Sequence, residues 1–338
     1  MRRLIQMLDK IAPELLTSIL GNTTTTDKLN TSLVCRRVQS VICSTRSLKK
    51  RPDEIKISMK AVHPVPYQIG RLRVGKPKLE KGKGKVIVTL SRNQDTRGRQ
   101  KTIDTLEADE VNDSVPSTST EFPVLEEILS QCIHGRTLTL RGITINIALL
   151  DLLSSSSTEL YRVTVINLEL CVFADEEKLT ESLHTFFSKT SVQFLTLEFC
   201  REEGIKRIIC DELFCGLHHL QRLDLQERIP GTNAITENLV ESWVATSAPY
   251  IINFRNVKTA ISVESIIKLV EYTVRSPRIF KTVWNIGAID RCDKREFASL
   301  FILAHPDLSI KQDIDNIGQR HIQIMHPFLE ISFTTTGW

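Results

Sequence analysis

The sequence predicts an α/β protein, with a short helical unit at the start and then an array whose parallel strands lie inside and whose helices lie outside. Three observations predict it. From Phe122 onward, short aliphatic stretches alternate with amphipathic helical stripes. Between Leu8 and Ile42, two apolar runs recur at helical spacing around a polar loop. Between them, a basic block carries β-branched clusters separated by Gly and Pro. The expected divisions are a helical unit over 1–45, a basic strand-containing connector with a polar linker over 46–121, and the array over 122–338.

In the first division, Pro13 suits the opening position of a helix, Leu16, Ile19 and Leu20 follow at helical spacing, and Gly21 closes the turn. After Asn22–Thr25, Thr26 or Asp27 can cap a second run in which Leu29, Leu33, Val34, Val38, Val41 and Ile42 recur every three or four residues. Two helices of this size bury too little to stand alone, because chains below about 40 residues need a partner, a metal or disulfides. The stripe therefore wants another surface, and its residues are expected to be exposed in the isolated chain.

These residues resemble the F-box. Its pattern is a leucine, a Pro-Glu with paired aliphatics, an Ile-Leu, a polar loop and then Leu-Val-Cys-Arg-Arg. Here those are Leu8, Ile11, Pro13, Glu14, Leu15, Leu16, Ile19 and Leu20, then Leu33, Val34, Cys35, Arg36 and Arg37, with Ile42 beyond. Val38 stands where the family usually carries Trp. The resemblance implies docking on a Skp-type adaptor, and through it a cullin scaffold, by Leu8, Ile11, Pro13, Leu15, Leu16, Ile19, Leu20, Leu33, Val34 and Val38.

At 338 residues, 41% hydrophobic and 25% charged, the chain has the composition of a globular protein with a sizeable core. Gln6, Asp9 and Lys10 interrupt the apolar start before a signal-peptide core could form. The longest apolar run, Ile143 to Leu153, contains Asn146 and Asp151 and falls short of a membrane span, so an intracellular protein, in cytoplasm or nucleus, is expected. The eight cysteines lie scattered, mostly among aliphatics, as the free thiols of a reducing compartment do. Cys200, Cys210, Cys215 and His218 lack the short paired spacing of a zinc site, so no metal is expected.

Residues 46–101 hold 17 Lys and Arg against four acids, a balance of +13 inside a total of +4. Glu54–Met59 and Lys85–Leu90 can pair as strands, exposed for the most part, with Gly70, Gly75, Gly82 and Gly84 in turns. Contact with phosphate backbones is the functional alternative, but Tyr67 is the one aromatic among the basic residues, which disfavours nucleic acid as partner. From Ser91 to Glu121 the chain turns polar, and Asp113–Thr120 has no periodicity that could bury anything, so a linker is expected. Gly82–Lys85 lacks the Gly-Lys-Ser/Thr of a phosphate loop, so no nucleotide cofactor is implied.

In the third division the expected strand cores are Leu138 and Leu140, Val163 and Val165, Leu195 and Leu197, Leu223 and Leu225, and Ile252 and Phe254. Their second members are spaced by 25, 32, 28 and 29 positions. Helical stripes fall between them: Leu179, Leu183, Phe186 and Phe187; Ile205, Ile208, Ile209 and Leu213; Leu239, Val240, Trp243 and Val244; Ile266, Leu269, Val270 and Thr273. Ser262 can cap the last helix, with Ile261 and Ile266 as a hydrophobic staple and Pro277 as its stop. Phe280–Ile286 suits another strand, Glu296–Leu303 another helix, and Ile322–Ile324 with Leu329–Phe333 the closing strands. Because one strand and one helix cannot close a core, neighbouring units must stack.

Phrases such as Leu160-x-x-Val163-x-Val165 and Leu220-x-x-Leu223-x-Leu225 resemble leucine-rich repeats, although only Cys200 fills the Asn or Cys position that follows the strand. Ile235–Arg278 resembles the C-terminal region of the expanded nematode F-box families, where a helix ending near Trp leads into an INFRN-like strand. Together these resemblances imply a leucine-rich-repeat-like solenoid behind an F-box, in a substrate-receptor subunit of a cullin-RING ubiquitin ligase.

No Gly-x-Ser-x-Gly, His-Glu-x-x-His or Cys-x-x-Cys motif occurs, so a non-catalytic subunit is expected. His218 and His219 read as one buried and one solvated ring, and Glu176 and Glu177 as acids favoured by a helix dipole. By the period-two rule the residues between the strand leucines face away from the core. That row is Thr139 and Arg141, Thr164 and Ile166, Thr196 and Glu198, Asp224 and Gln226, then Asn253 and Arg255. The last six are the candidate contacts to an unidentified target protein. The alternatives are a repeat scaffold with no ligase partner and a nucleic-acid binder working through residues 46–101.

Overall fold

The computed structural model describes Thr17, Leu20 and residues 54–60, 84–93, 101–111, 123–130, 132, 135–155, 162–204, 207–227, 234–246, 248–275, 280–289, 307–315 and 319–336. The fold is α/β. Two compact units divide it, Met1–Ile143 with Ala148–Arg162 and Thr144–Ile147 with Val163–Trp338.

In the first unit, strands β1 (Glu54–Lys60), β2 (Gly84–Asn93), β3 (Lys101–Val111) and β4 (Thr137–Arg141) lie in the order β3-β2-β1-β4. The first three pair antiparallel and β4 pairs parallel with β1. The expected pairing of 54–59 with 85–90 is observed, Ile55 facing Leu90 and Ile57 facing Val88. The expectation of little burial fails: Ile55, Ile57, Val86, Val88 and Leu90 are buried with Leu138 and Leu140 of β4. The cause is the period of two, which sends the aliphatics to one side and Lys56 and Thr89 to the other. β3 corrects the linker expected over 91–121, while Asp113–Thr120 lies outside the described residues. Helix α1 (Pro123–Ser130) opens on a proline that is pre-set for the first helical position, and buries Leu125, Ile128 and Leu129. Helix α2 (Ile147–Ser155) buries Leu149, Leu150 and Leu153.

The second unit holds a large, mostly parallel sheet. Its strands are β6 (Val165–Glu169), β8 (Phe194–Glu198), β10 (Arg222–Gln226), β11 (Ile251–Arg255), β13 (Thr282–Ile289), β14 (Ser309–Ile314), β15 (Gln319–His326) and β16 (Leu329–Thr336). They run in the order β6-β8-β10-β11-β13-β16-β15-β14, parallel from β6 to β16 and antiparallel from there. Short strands β5 (Thr144–Ile145), β7 (Val172–Phe173) and β9 (Arg201–Glu202) make a second parallel strip, and β12 (Lys258–Thr259) joins the end of β13. A left-handed residue turns the chain between the strands of a unit: Leu170, Phe199 and Asn256 follow β6, β8 and β11. The ladder carries through two of these turns, since Leu170 N–H donates to Glu198 O and Phe199 N–H to Gln226 O.

Helices α3 (Leu179–Thr190), α4 (Asp211–Phe214), α5 (Glu237–Ala245) and α6 (Val263–Arg275) follow in the connections. The expected stripes bury Leu179, Leu183, Phe186 and Phe187 in α3, Leu239, Val240 and Trp243 in α5, and Ile266, Leu269, Val270 and Thr273 in α6. Ser262 Oγ accepts from Ser265 N–H at 3.2 Å, the expected cap, and Ile261 and Ile266 are both buried. The Trp243 and Trp284 rings meet edge to face with centroids 5.5 Å apart, and Trp284 Nε1 donates to Pro249 O at 2.9 Å, which satisfies the polar atom of a fully buried indole.

Three expectations are corrected here. Of the helix expected over 205–213, Ile205 lies outside the described residues and the described part is helical only from Asp211, in Asp211–Phe214, because Glu202 Oε1 accepts the N–H groups of Ile208 and Ile209 at 2.7 and 2.9 Å and so removes them from any helical ladder. The inward pair of β6 is Ile166 and Leu168, which face Leu195 and Leu197; Val165 is half-buried and faces Phe194, whereas Val163 is buried as expected but precedes the strand. His218 and His219 are both exposed, in the turn that follows Gly216. Phe280–Ile286 falls on the observed β13, and the closing strands on β15 and β16, whereas Pro277 and Glu296–Leu303 lie outside the described residues. Among the described residues, no helix is long and apolar enough to cross a membrane.

Candidate functional site

On the side of the large sheet opposite the buried leucines, the registers align three rows. The first is Val165, Phe194, Arg222, Ile251, Val283 and Glu330. The second is Asn167, Thr196, Asp224, Asn253, Asn285 and Ser332. The third is Glu169, Glu198, Gln226 and Arg255. Every one of these residues is half-buried or exposed, while Ile166, Leu195, Leu223, Ile252 and Trp284 beneath them are buried. The rows exist because parallel strands in register repeat the same pleat at every step.

The third row grades from acid to base, Glu169 facing Glu198 at one end and Gln226 facing Arg255 at the other. In the first and second rows the charges are matched locally. Arg222 Nε holds Asp224 Oδ2 on its own strand. The Asn253 amide, turned so that its oxygen meets the guanidinium, accepts from Arg255 Nη2 and Nε at 3.1 and 3.0 Å. Lys281 Nζ sits 2.7 Å from Glu330 Oε2 and holds that carboxyl below the usual carboxylate range, while Gln323 Nε2 donates to its other oxygen at 3.0 Å. At the edge where the strands begin, Phe280 stands 63% exposed, stacked edge-on to Tyr250 at 5.5 Å, and Phe328 and Val283 are also exposed.

Of the residues expected to bind a target, Thr196, Asp224 and Asn253 fall side by side in the second row and Glu198, Gln226 and Arg255 in the third. Thr164 and Ile166 do not join them. Ile166 is fully buried, and a three-residue shift of the expected register replaces this pair by Asn167 and Glu169. Thr139 is buried, 2% exposed, and donates to Glu54 Oε1 at 3.2 Å. Sequence reasoning missed Asn167, Glu169, Asn285 and Ser332. The signal for the first two was present: Cys171 stands three places after Leu168, as Cys200 stands three after Leu197.

Of the expected adaptor contacts, Leu8, Ile11, Pro13, Leu15, Leu16, Ile19, Leu33, Val34 and Val38 lie outside the described residues. Leu20, expected to be exposed, is buried at 4%. A leucine on an apolar stripe gains about 2 kcal/mol when its surface leaves water, and its own chain supplies that cover here.

The remaining reactive groups belong to the core. Cys171 beside Cys200, together with burial, pushes the Cys200 thiol up, and burial pushes Cys210 up to about 12, so both stay protonated at neutral pH. Cys200 Sγ donates to Leu168 O at 3.3 Å, bonding one strand unit to the next. Glu176, expected to serve the dipole of α3, accepts instead from Ile147 N–H at 2.7 Å. Among the described residues, no group of three or more His, Cys, Asp or Glu is placed to hold a metal. What the arrangement offers chemically is a broad polar surface with an aromatic rim and a charge gradient, suited to orienting another macromolecule.

No protein-family model and no curated protein matches this chain.

Proposed function

We propose that the chain is a substrate-receptor subunit of a cullin-RING ubiquitin ligase, docking on a Skp-type adaptor through Leu8–Ile42 and presenting a target protein on the large sheet. The observation that carries the target half is the set of aligned rows from Asn167 to Ser332, a continuous open surface built at the same pleat position of successive strands. The adaptor half rests on the F-box-like sequence. In this reading the strand, turn and helix units are divergent leucine-rich repeats of a solenoid. With the inward pair of β6 corrected, the second inward residues become Leu140, Leu168, Leu197, Leu225 and Phe254, spaced by 28, 29, 28 and 29 positions. That regularity lies within the 20 to 29 residues of leucine-rich repeats. The subunit performs no chemistry of its own; it holds a target lysine near a charged ubiquitin carrier, so that their encounter becomes effectively intramolecular.

Purification of the full-length chain from cells tests the adaptor half. Wild type is expected to bring adaptor and cullin with it, and Leu16→Ala with Leu33→Ala to lose both while keeping the wild-type thermal transition. Leu20 is left intact because its burial would confuse lost binding with lost folding. Absence of adaptor from the wild-type preparation refutes the ligase role and leaves a repeat scaffold.

A further inference from the structure

The large sheet ends at β14, which pairs with β15 on one side and, among the described residues, with no strand on the other. An edge of this kind presents a row of backbone N–H and C=O groups ready to accept another strand. Folded proteins blunt such edges with charges, prolines or a covering element, and β14, Ser309-Ile-Lys-Gln-Asp-Ile314, carries charges of both signs. All of its residues except Ile310 are exposed, Ile314 at 62%. Among the described residues, Lys311 and Asp313 form no ion pair, whereas Arg222, Lys281 and His321 elsewhere in this unit each stand within reach of an acid.

The order of these residues matters. Turned antiparallel about Gln312, the strand meets itself with Lys311 opposite Asp313, Asp313 opposite Lys311, and Ile310 opposite Ile314. Both charge pairs and both apolar pairs are satisfied by the same two-fold operation. Cross-strand registers also show that the apolar face leads out to this edge: Trp284 faces Ile331, Ile331 faces Ile324, and Ile324 faces Ile310. A second copy would continue that row through its own Ile314 and Ile310. A two-fold contact must be self-complementary, residue i meeting j and j meeting i, and a charged edge meets that condition only when its charges are ordered in this way.

We infer that β14 is a self-association edge, through which two copies of this chain pair antiparallel about Gln312 into one continuous sheet. The contact is small, six residues a side, so it forms a weak, concentration-dependent dimer.

Sedimentation equilibrium of the full chain tests it, using wild type, Lys311→Glu, Asp313→Lys, the double exchange Lys311→Asp/Asp313→Lys, and an equimolar mixture of the two single variants. Wild type is expected to self-associate. Each single variant turns two attractive pairs into two repulsive ones and should weaken self-association at least about ten-fold. The double exchange restores complementary pairs and should regain the dimer. The mixture should associate although neither component does, because the two acids on the edge of one copy then meet the two lysines on the edge of the other. Unchanged thermal transitions show that each variant is folded. A wild type that stays monomeric at the highest soluble concentration, single variants that dimerise as wild type does, or a mixture that stays monomeric would each overturn the inference, including a result in which the edge captures only an extended peptide.

Discussion

Asp211 holds Thr236 by both of its carboxylate oxygens, one accepting the backbone N–H at 2.8 Å and the other the hydroxyl. Thr236 Oγ1 in turn accepts from Asn238 N–H at 3.2 Å, so a buried acid at the start of α4 orients the residue that caps α5. Asp211→Ala strips partners from two donors at once and is expected to cost about 2 kcal/mol. Asp211→Asn keeps one acceptor and should cost less. Urea unfolding of the two variants checks the order, and equal midpoints for Asp211→Ala and wild type would remove the cap relay.

Gly287 sits at φ +72° in the irregularity of β13, where the pairing to β16 shifts between Asn285 and Ala288. A Cβ there would lie 2.4 Å from the Val257 carbonyl oxygen, and that atom belongs to backbone that cannot swing aside. Gly287→Ala therefore combines left-handed strain with a backbone clash, and should cost about 2 kcal/mol or more. Gly142→Ala is the control: φ is also positive, +64°, but nothing lies within 4 Å, so the strain acts alone. Thermal melts should place Gly287→Ala well below Gly142→Ala.

Much of this architecture was legible from residue periodicity. The β1–β2 pairing follows from alternation in Ile55, Ile57, Val86 and Val88, and the stripes of α3, α5 and α6 carry apolar residues at i, i+3 and i+4. The failures have separate causes. Val163, Val165, Ile166 and Leu168 are all aliphatic, so alternation alone cannot decide which pair points inward, and pairing with Leu195 and Leu197 decides it. β3 reads as polar because its pattern, Lys-Thr-Ile-Asp-Thr-Leu-Glu-Ala-Asp-Glu-Val, lacks aliphatic runs, yet the open side of β2 supplies the backbone partners. The short α4 was hidden because Glu202, six and seven residues before Ile208 and Ile209, takes the N–H groups a longer helix would use. The candidate face was legible for three strands, and its continuation to Asn285 and Ser332 depends on long-range pairing that no local pattern announces.

Lys281 and Glu330 give a pH-dependent contribution. The depressed Glu330 carboxyl stabilises the fold above the unfolded value of about 4.3, and that contribution is lost as pH falls through the lower folded value. The Glu330 side chain is 31% exposed, so solvent screens the pair and the contribution is about 0.5 kcal/mol or less. Lys281→Met should lower stability near neutrality by that amount, a deficit that closes as pH falls through the depressed folded value, so the start of acid unfolding moves to slightly higher pH. Circular dichroism along an acid titration would read it, and coincident curves for variant and wild type would assign the pair no weight.

Target capture is expected to depend on the charge gradient of the third row. Glu198 and Arg255 stand toward its two ends with Gln226 between them, so a bound surface is oriented by which end its own charges meet. Asp224 is a poorer handle, because Arg222 already neutralises it, and Asp224→Ala would also release an arginine. Glu198→Lys with Arg255→Glu keeps the net charge and inverts the charge at both positions, which destroys the gradient, and as a change of half-buried and exposed positions it should leave the melting transition within about 0.5 kcal/mol of wild type. Proteins retained by wild type in a quantitative purification from cells should fall at least about ten-fold, since like charges placed opposite one another repel at both ends. Glu241→Ala with Lys268→Ala, on the exposed surfaces of α5 and α6, serves as the control and should retain them. If the helix-side variant loses the same proteins and the variant with the two row charges inverted keeps them, the target sits on the helices and the sheet face is solvated surface.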